Sequence, residues 1–351
     1  MKKILYTLFI ASLLSVACTE EVLVSRNHDI DAEVATDDQT ITELTTLYCN
    51  VNDSNTVDLE QLSLYLTAKD ADVVTFVAPA TMNGSSFLSW LNSYATDNGY
   101  VALSQTNNDG RLTMAAIVRN TYSDVVAQHI IYQGSSSNTN ALHNAVLLFS
   151  VKDVYFIVTE MNEARNSIPA DWEEQVKSMK KDSNTLKYDP DNLAERHGEV
   201  EYLLDQTLDN SKYSHVKYWM LNVDMNAPSN IDMKYGKVFK LVDCYDNVNA
   251  EAFIKKHYEY FIVEENLAAS DAYFKANDLL VYAGFVDCVA VQHSVYTPTS
   301  IRRSTLVDDT RNNFVYSSDG LWNAIESLNV DNSVEWGATH YPIMVTLKME
   351  E

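Results

Sequence analysis

A handful of polar positions along the chain carry the residue types that move protons or hold cations. His340 sits in Gly337-Ala338-Thr339-His340-Tyr341-Pro342, just ahead of an alternating run, Ile343 to Met349. Asp224 and Asn226 lie two apart at the end of KYWMLNVDMN, and Glu160 follows Thr159 at the end of VYFIVTE. A histidine can take and return a proton near neutral pH. Two carboxylates brought side by side bind a cation or divide acid and base roles, because their like charges push their pKa values apart. Singly, each of these residues also has a plainer role. His340 alone reads as a hydrogen-bonded structural histidine, and Asp224 with Asn226 reads as a turn. His143 and His197 read as structural or surface residues, and Ser135 to Ser137 as an exposed loop.

The elements that must position them alternate in type along the chain. LYCNVN (47–52) and DVVTFVA (72–78) are short apolar runs of strand length. Phe87, Trp90, Leu91 and Tyr94 recur at helical spacing behind Asn83 or Ser85 as N-cap. Strands are expected at YVALSQ, RLTMAAIVRN, VVAQHIIY, AVLLFSV and DVYFIVTEM. An amphipathic helix follows, 191–207, with Leu193, Val200, Leu203 and Leu204 on one side. After the KYWMLNVDMN strand come a helix at 249–260, GFVDCVAV, RNNFVYSS, a short helix from Leu321 and the terminal strand. Such alternation predicts a single α/β domain with buried sheets. Trp219, Trp336 and Tyr341 fall near the candidate residues and read as core rather than as a ligand platform.

The order of LYCNVN, DADVVTFVAP (70–79), LTMAAIVRN, VYFIVTEM, KYWMLNVDMN, GFVDC, RNNFVYSS and GATHYPIM resembles that of the endonuclease/exonuclease/phosphatase superfamily. These are metal-dependent phosphoesterases with a DNase I-like fold. The resemblance runs over roughly residues 41–350. It implies an α/β, four-layer α-β-β-α sandwich: two stacked mixed sheets flanked by helices, with the site at one end. It also implies a Mg²⁺ ion held by hard oxygen ligands, and a histidine steadied by a carboxylate. Carried over, Asn50 stands where the family has an asparagine beside the metal. Asp224 and Asn226 match its Gly-Asp-x-Asn loop, with Val223 in place of the glycine. Thr159 matches the threonine of its Thr-His pair, and His340 its terminal histidine.

The departures fall on charged positions. Val77-Ala78 stands where the family has Gln-Glu, its main metal carboxylate. Glu160 replaces the histidine of Thr-His, and Thr339 replaces the aspartate of Ser-Asp-His. Asn313 stands where the family has the aspartate of its Arg-Ile-Asp strand. An asparagine cannot stabilise an imidazolium, and the same exchange in serine proteases costs ~10⁴-fold in rate. Two missing carboxylates also leave a dication short of anionic ligands. The expected outcome is an impaired catalyst, with Asn50 and Asp224 as what remains of the metal set.

Composition narrows the setting. Lys2 and Lys3 precede an apolar run that ends in Ser15-Val16-Ala17-Cys18. This resembles a bacterial lipoprotein signal, which implies residues 1–18 as leader and lipidation at Cys18. Residues 19–40 read as a polar acidic tether, and 41–351 as the single domain. The anchor implies a cell-envelope protein tethered to a membrane, with Thr19-Glu20-Glu21 pointing to the outer membrane and its surface. The chain carries a net charge of −24, which argues against nucleic acid as partner, since phosphates are bound by Lys and Arg. With only 9 glycines, turns must lean on Asn and Asp. Cys49 reads as a buried strand residue, and a Cys244–Cys288 disulfide is left open.

Two functions compete on this reading. One is a non-catalytic envelope lipoprotein that uses the sandwich to bind a glycan, another envelope protein or a small ligand, with no cofactor. The 21 tyrosines supply amphipathic surface suited to such partners. The other is a hydrolase with a rearranged site of Asp224, His340 and Glu160, using Mg²⁺. An active nuclease or sphingomyelinase-type enzyme is disfavoured by Ala78 and by the acidic charge.

Overall fold

The computed structural model describes residues 43–51, 57–77, 84–106, 112–132, 144–161, 190–225, 229, 276–293, 297, 299, 311, 313–334, 336–337 and 340–349. Cys18, Ala78, Asn226, Cys244, Thr339 and the expected helix at 249–260 lie outside them. Two six-stranded mixed sheets organise what is described. The first is built from β1 (Leu44–Asn50), β2 (Val73–Val77), β3 (Tyr100–Thr106), β4 (Leu112–Arg119), β11 (Ile325–Val330) and β12 (Ile343–Leu347), in the order β11-β12-β1-β2-β4-β3. The second contains β5 (Val126–Tyr132), β6 (Val146–Val151), β7 (Val154–Glu160), β8 (Tyr218–Asp224), β9 (Phe285–Asp287) and β10 (Asn313–Ser318), in the order β5-β6-β7-β8-β10-β9.

Period-two alternation sends each strand's side chains to opposite faces, and the core divides accordingly. Leu44, Tyr48 and Val73 of the first sheet pack with Phe149, Phe156 and Met220 of the second, forming the inter-sheet layer. The other face of the first sheet, with Cys49, Val74 and Phe76, is covered by α1 (Leu59–Lys69) and α2 (Gly84–Asn98). The outer face of the second sheet, with Leu148, Ile157 and Leu221, is covered by α3 (Pro190–Gln206) and a helix at 276–282. Helix, sheet, sheet, helix is the four-layer order. Phe76, Phe87 and Trp90 meet edge-to-face or tilted at 5.1–6.2 Å, a geometry favoured by ring quadrupoles. Two short helices, α4 (Cys288–Gln292) and α5 (Asp319–Trp322), bracket β10 in sequence.

Two expectations need correction, and one question left open is answered at Cys288. Ser85 lies inside α2 rather than capping it. The short helix expected from Leu321 is the four-residue α5, and the chain then turns into edge strand β11, where Ile325, Leu328 and Val330 give too weak an alternation to announce a strand. Cys288 is a free, buried thiol donating to Ser317 Oγ at 3.3 Å, not half of a disulfide with Cys244. Cys49 is buried on β1 as expected. Trp219 and Trp336 are core side chains. Among the described residues no helix is long and apolar enough to cross a membrane.

Candidate functional site

Strand register brings the candidates to one end of the sandwich. Parallel β1 and β2 finish together, Asn50 opposite Val77. In the second sheet parallel β7 and β8 finish together, Glu160 opposite Asp224. Antiparallel β10 starts where β8 stops, Asn313 opposite Asp224. Glu160, Asp224 and Asn313 therefore form one rung across three neighbouring strands, facing the end of β1.

The contact between sheets is made by one amide. Asn50 Nδ2 donates to Asp224 Oδ2 at 2.7 Å and to Asn313 Oδ1 at 2.6 Å. Both amide hydrogens are thereby used. In this orientation the amide avoids setting its oxygen 2.7 Å from a carboxylate oxygen. The Tyr48 hydroxyl, two residues back on the same face of β1, donates to Asn313 Oδ1 at 3.4 Å. Burial raises the Tyr48 phenol well above its ordinary pKa, and the charges of Asp224 and Glu160 add to this. Tyr48 is thus held protonated as a donor. One rung deeper, Asn222 Nδ2 donates to Thr75 Oγ1 at 2.9 Å, again from sheet to sheet.

The carboxylates are steadied from their own sheet. The Met161 N–H donates to the Asp224 carbonyl at 2.8 Å, locking the ends of β7 and β8. Asn144 Nδ2 donates to the Glu160 carbonyl at 3.2 Å and, at 3.4 Å, to its Oε2. Thr159 is buried and donates to the Ala145 carbonyl at 3.4 Å. Asp224 and Glu160 are both buried, at 2% and 9% exposure, so two acids share a low-dielectric rim.

His340 is buried on the loop between β11 and β12. Thr299 ties this loop to the site. The Tyr341 N–H donates to the Thr299 carbonyl at 2.7 Å, and Thr299 Oγ1 accepts from the Asn313 N–H at 3.3 Å. The loop base is clasped where the Asp331 N–H meets the Pro342 carbonyl at 2.9 Å. Farther along, the Trp336 carbonyl accepts from the Asp58 N–H at 3.0 Å, and Gly337 at φ +84° provides a left-handed bend. Asp331 in turn accepts from Lys69 Nζ, the Tyr65 hydroxyl and Ser333. Against the cost of burial, Lys69 and Ser333 hold its carboxyl well below the usual carboxylate range.

Asn50, Asp224 and Asn313 thus meet directly, Glu160 joins them by register, and His340 is linked through Thr299. The sequence reading missed Tyr48, Thr75, Asn144, Asn222 and Thr299. Spacing of two from a named residue, Tyr48 to Asn50 and Asn222 to Asp224, was the available signal for two of them. Among the described residues, no group of three or more His, Cys, Asp or Glu side chains is placed to hold a metal ion.

Comparisons with known proteins agree with this architecture. The sequence matches no protein-family model and no curated protein sequence. Its structure is similar to an AP endonuclease from Archaeoglobus fulgidus, with a TM-score of 0.55 and 15% identity over 87% of this chain and 100% of that one. It is similar also to the 3′ phosphatase NExo from Neisseria bound to a product DNA hairpin, with a TM-score of 0.51, 15% identity and the same coverage. The chain has a DNase I-like fold, a likeness of fold alone at this identity.

Proposed function

We propose that this chain is a lipid-anchored envelope protein that uses a DNase I-like sandwich as a binding scaffold, its phosphoester-cleaving chemistry lost. The observation that carries the reading is the Asn50 amide with both hydrogens spent on Asp224 and Asn313. A hard dication requires oxygen lone pairs turned toward it. Here Asp224 Oδ2 and Asn313 Oδ1 each accept an N–H bond from Asn50, and no group of three His, Cys, Asp or Glu side chains stands with them among the described residues. This set supports a site without Mg²⁺. Proton transfer is impaired as well, since neutral Asn313 gives His340 no charge with which to steady an imidazolium.

Charge supports the binding role over a nuclease. The neighbour from Neisseria is bound to DNA, whereas this chain carries −24 and its site rim adds Glu160 beside Asp224. A phosphate entering there would meet like charge. Glycans, other envelope proteins and small neutral ligands remain as partners, in keeping with 21 tyrosines.

The in-register Glu160–Asp224 pair favours one other reading, a hydrolase with a rearranged acid and base. Turnover of phosphodiesters, phosphomonoesters and glycosides by the purified chain separates the two. The scaffold reading expects rates at the blank in Mg²⁺ and in EDTA alike. Hydrolysis that disappears in both Asp224→Ala and His340→Ala would overturn it.

A further inference from the structure

We infer that one internal water molecule is built into the inter-sheet core just below the candidate site, held between Asn222 and Asn313. Both residues are 1% exposed, and both face the first sheet, Asn222 toward Thr75 and Asn313 toward Asn50. Asn50 gives its Nδ2 to Asp224, so the Asn313 atom that meets the same group is an oxygen. The Tyr48 hydroxyl donates to that oxygen as well. Asn313 Nδ2 is thereby turned from both, and it is sealed from solvent with no hydrogen-bond partner.

Asn222 has the complementary deficit. Its Nδ2 donates to Thr75 Oγ1 at 2.9 Å, while its Oδ1 is sealed from solvent and unpartnered. The residues in register with it on the two neighbouring strands are Val158 and Val315, which offer no polar side chain. Exchanging the two amide atoms would not remove the deficit, because Thr75 Oγ1 meets only one of them. Asn313, opposite Asp224, is the diagonal neighbour of Asn222 on the same face. Such positions lie roughly 7–8 Å apart, so side chains standing upright on the sheet are set for a bridge of two hydrogen bonds rather than one.

The facing sheet closes the frame. Tyr48 and Thr75 are in register on β1 and β2, and they bond Asn313 and Asn222 respectively. Four side chains thus surround one small polar space between the sheets. One step further in, Thr46 Oγ1 donates to Met220 Sδ at 3.6 Å, a weak acceptor, and the polar strip ends there. A buried water takes two to four polar partners. An unmet amide donor beside an unmet amide acceptor calls for a group that accepts and donates together, which water does and a cation cannot. The site does not depend on whether the chain binds metal or cleaves phosphoesters.

A crystal structure of the purified chain tests the inference directly, and magnetic relaxation dispersion of the water oxygen tests it in solution. Density for one water is expected within about 3.2 Å of both Asn222 Oδ1 and Asn313 Nδ2. Asn222→Leu removes the acceptor, and its count of long-lived internal waters should fall below the wild-type count by one. Empty density, two amides in direct contact, or a water touching only one of them would overturn the inference, as would equal counts in wild type and Asn222→Leu. Should that variant not fold, the wild-type density decides alone.

Discussion

Asp224 is buried at 2% exposure yet keeps a short N–H bond from the opposite sheet, so the cost of disturbing this site depends on which atom loses its partner. Tyr48→Phe removes a long bond to an oxygen that keeps Asn50, and should cost about 0.5–1.5 kcal/mol in urea denaturation. Asp331 offers a pH test. Its folded pKa is depressed by Lys69 and Ser333, so its stabilisation is complete above the unfolded value of about 3.9 and drains away as the pH falls toward the lower folded one. Asp331→Asn should therefore be less stable than wild type at pH 7, with the gap narrowing steadily below about pH 4. A gap that widened in acid would contradict the placement of Lys69 on that carboxylate. At this scale the sequence offered Asn50, Glu160, Asp224, Asn313 and His340 through the family resemblance, and the structure sets Asn50, Asp224 and Asn313 in contact. It did not offer Thr75 and Thr299, because a buried threonine on an apolar strand looks like any β-branched filler until its partner across the fold is known.

At the scale of elements, the site depends on strand ends being held in register. A buried bidentate ion pair guards one such end: Arg311 Nη1 and Nη2 donate to Asp287 Oδ1 and Oδ2 at 3.0 and 2.7 Å, both residues 2% exposed. Asp287 also accepts from the Ala290 N–H, capping α4. Asp287→Ala strands a buried guanidinium and should cost about 3–5 kcal/mol, whereas Arg311→Met with Asp287→Leu together should cost clearly less. Denaturant curves of the two proteins make the comparison. Most strands were legible because each is a short apolar run between turn residues, and α3 began at Pro190, a residue suited to a first helical turn. Helix α1 was missed although Asp58 caps it and Leu62 and Leu66 mark its buried face. Exposed Leu64 and the run of mixed residues between blurred its period. That helix matters to the site, since Asp58 and Lys69 both reach the His340 loop or its base.

For the whole molecule, the proposal is that the sandwich is kept while its chemistry is not. The inter-sheet core and both helical covers follow the DNase I-like plan, and at the site end the Asn50 amide bridges the two sheets. The order of the strand-end motifs across the chain made the plan legible, because register in a buried sheet leaves little freedom once the apolar faces are set. Which oxygens accept from which donors was not legible, since that depends on contacts between residues 174 and 263 positions apart. The proposed lipid attachment belongs to this scale too. Radiolabelled palmitate should enter the chain in a bacterial host and be absent from Cys18→Ala, and equal labelling of both would remove the anchor from the account. The metal question admits the most direct measurement, a titration of Mn²⁺ into the purified chain followed by electron paramagnetic resonance. With the Asn50 amide closing the rung, only diffuse binding weaker than about 1 mM is expected, unchanged in Asp224→Ala. One saturable micromolar site that vanishes in Asp224→Ala would contradict it.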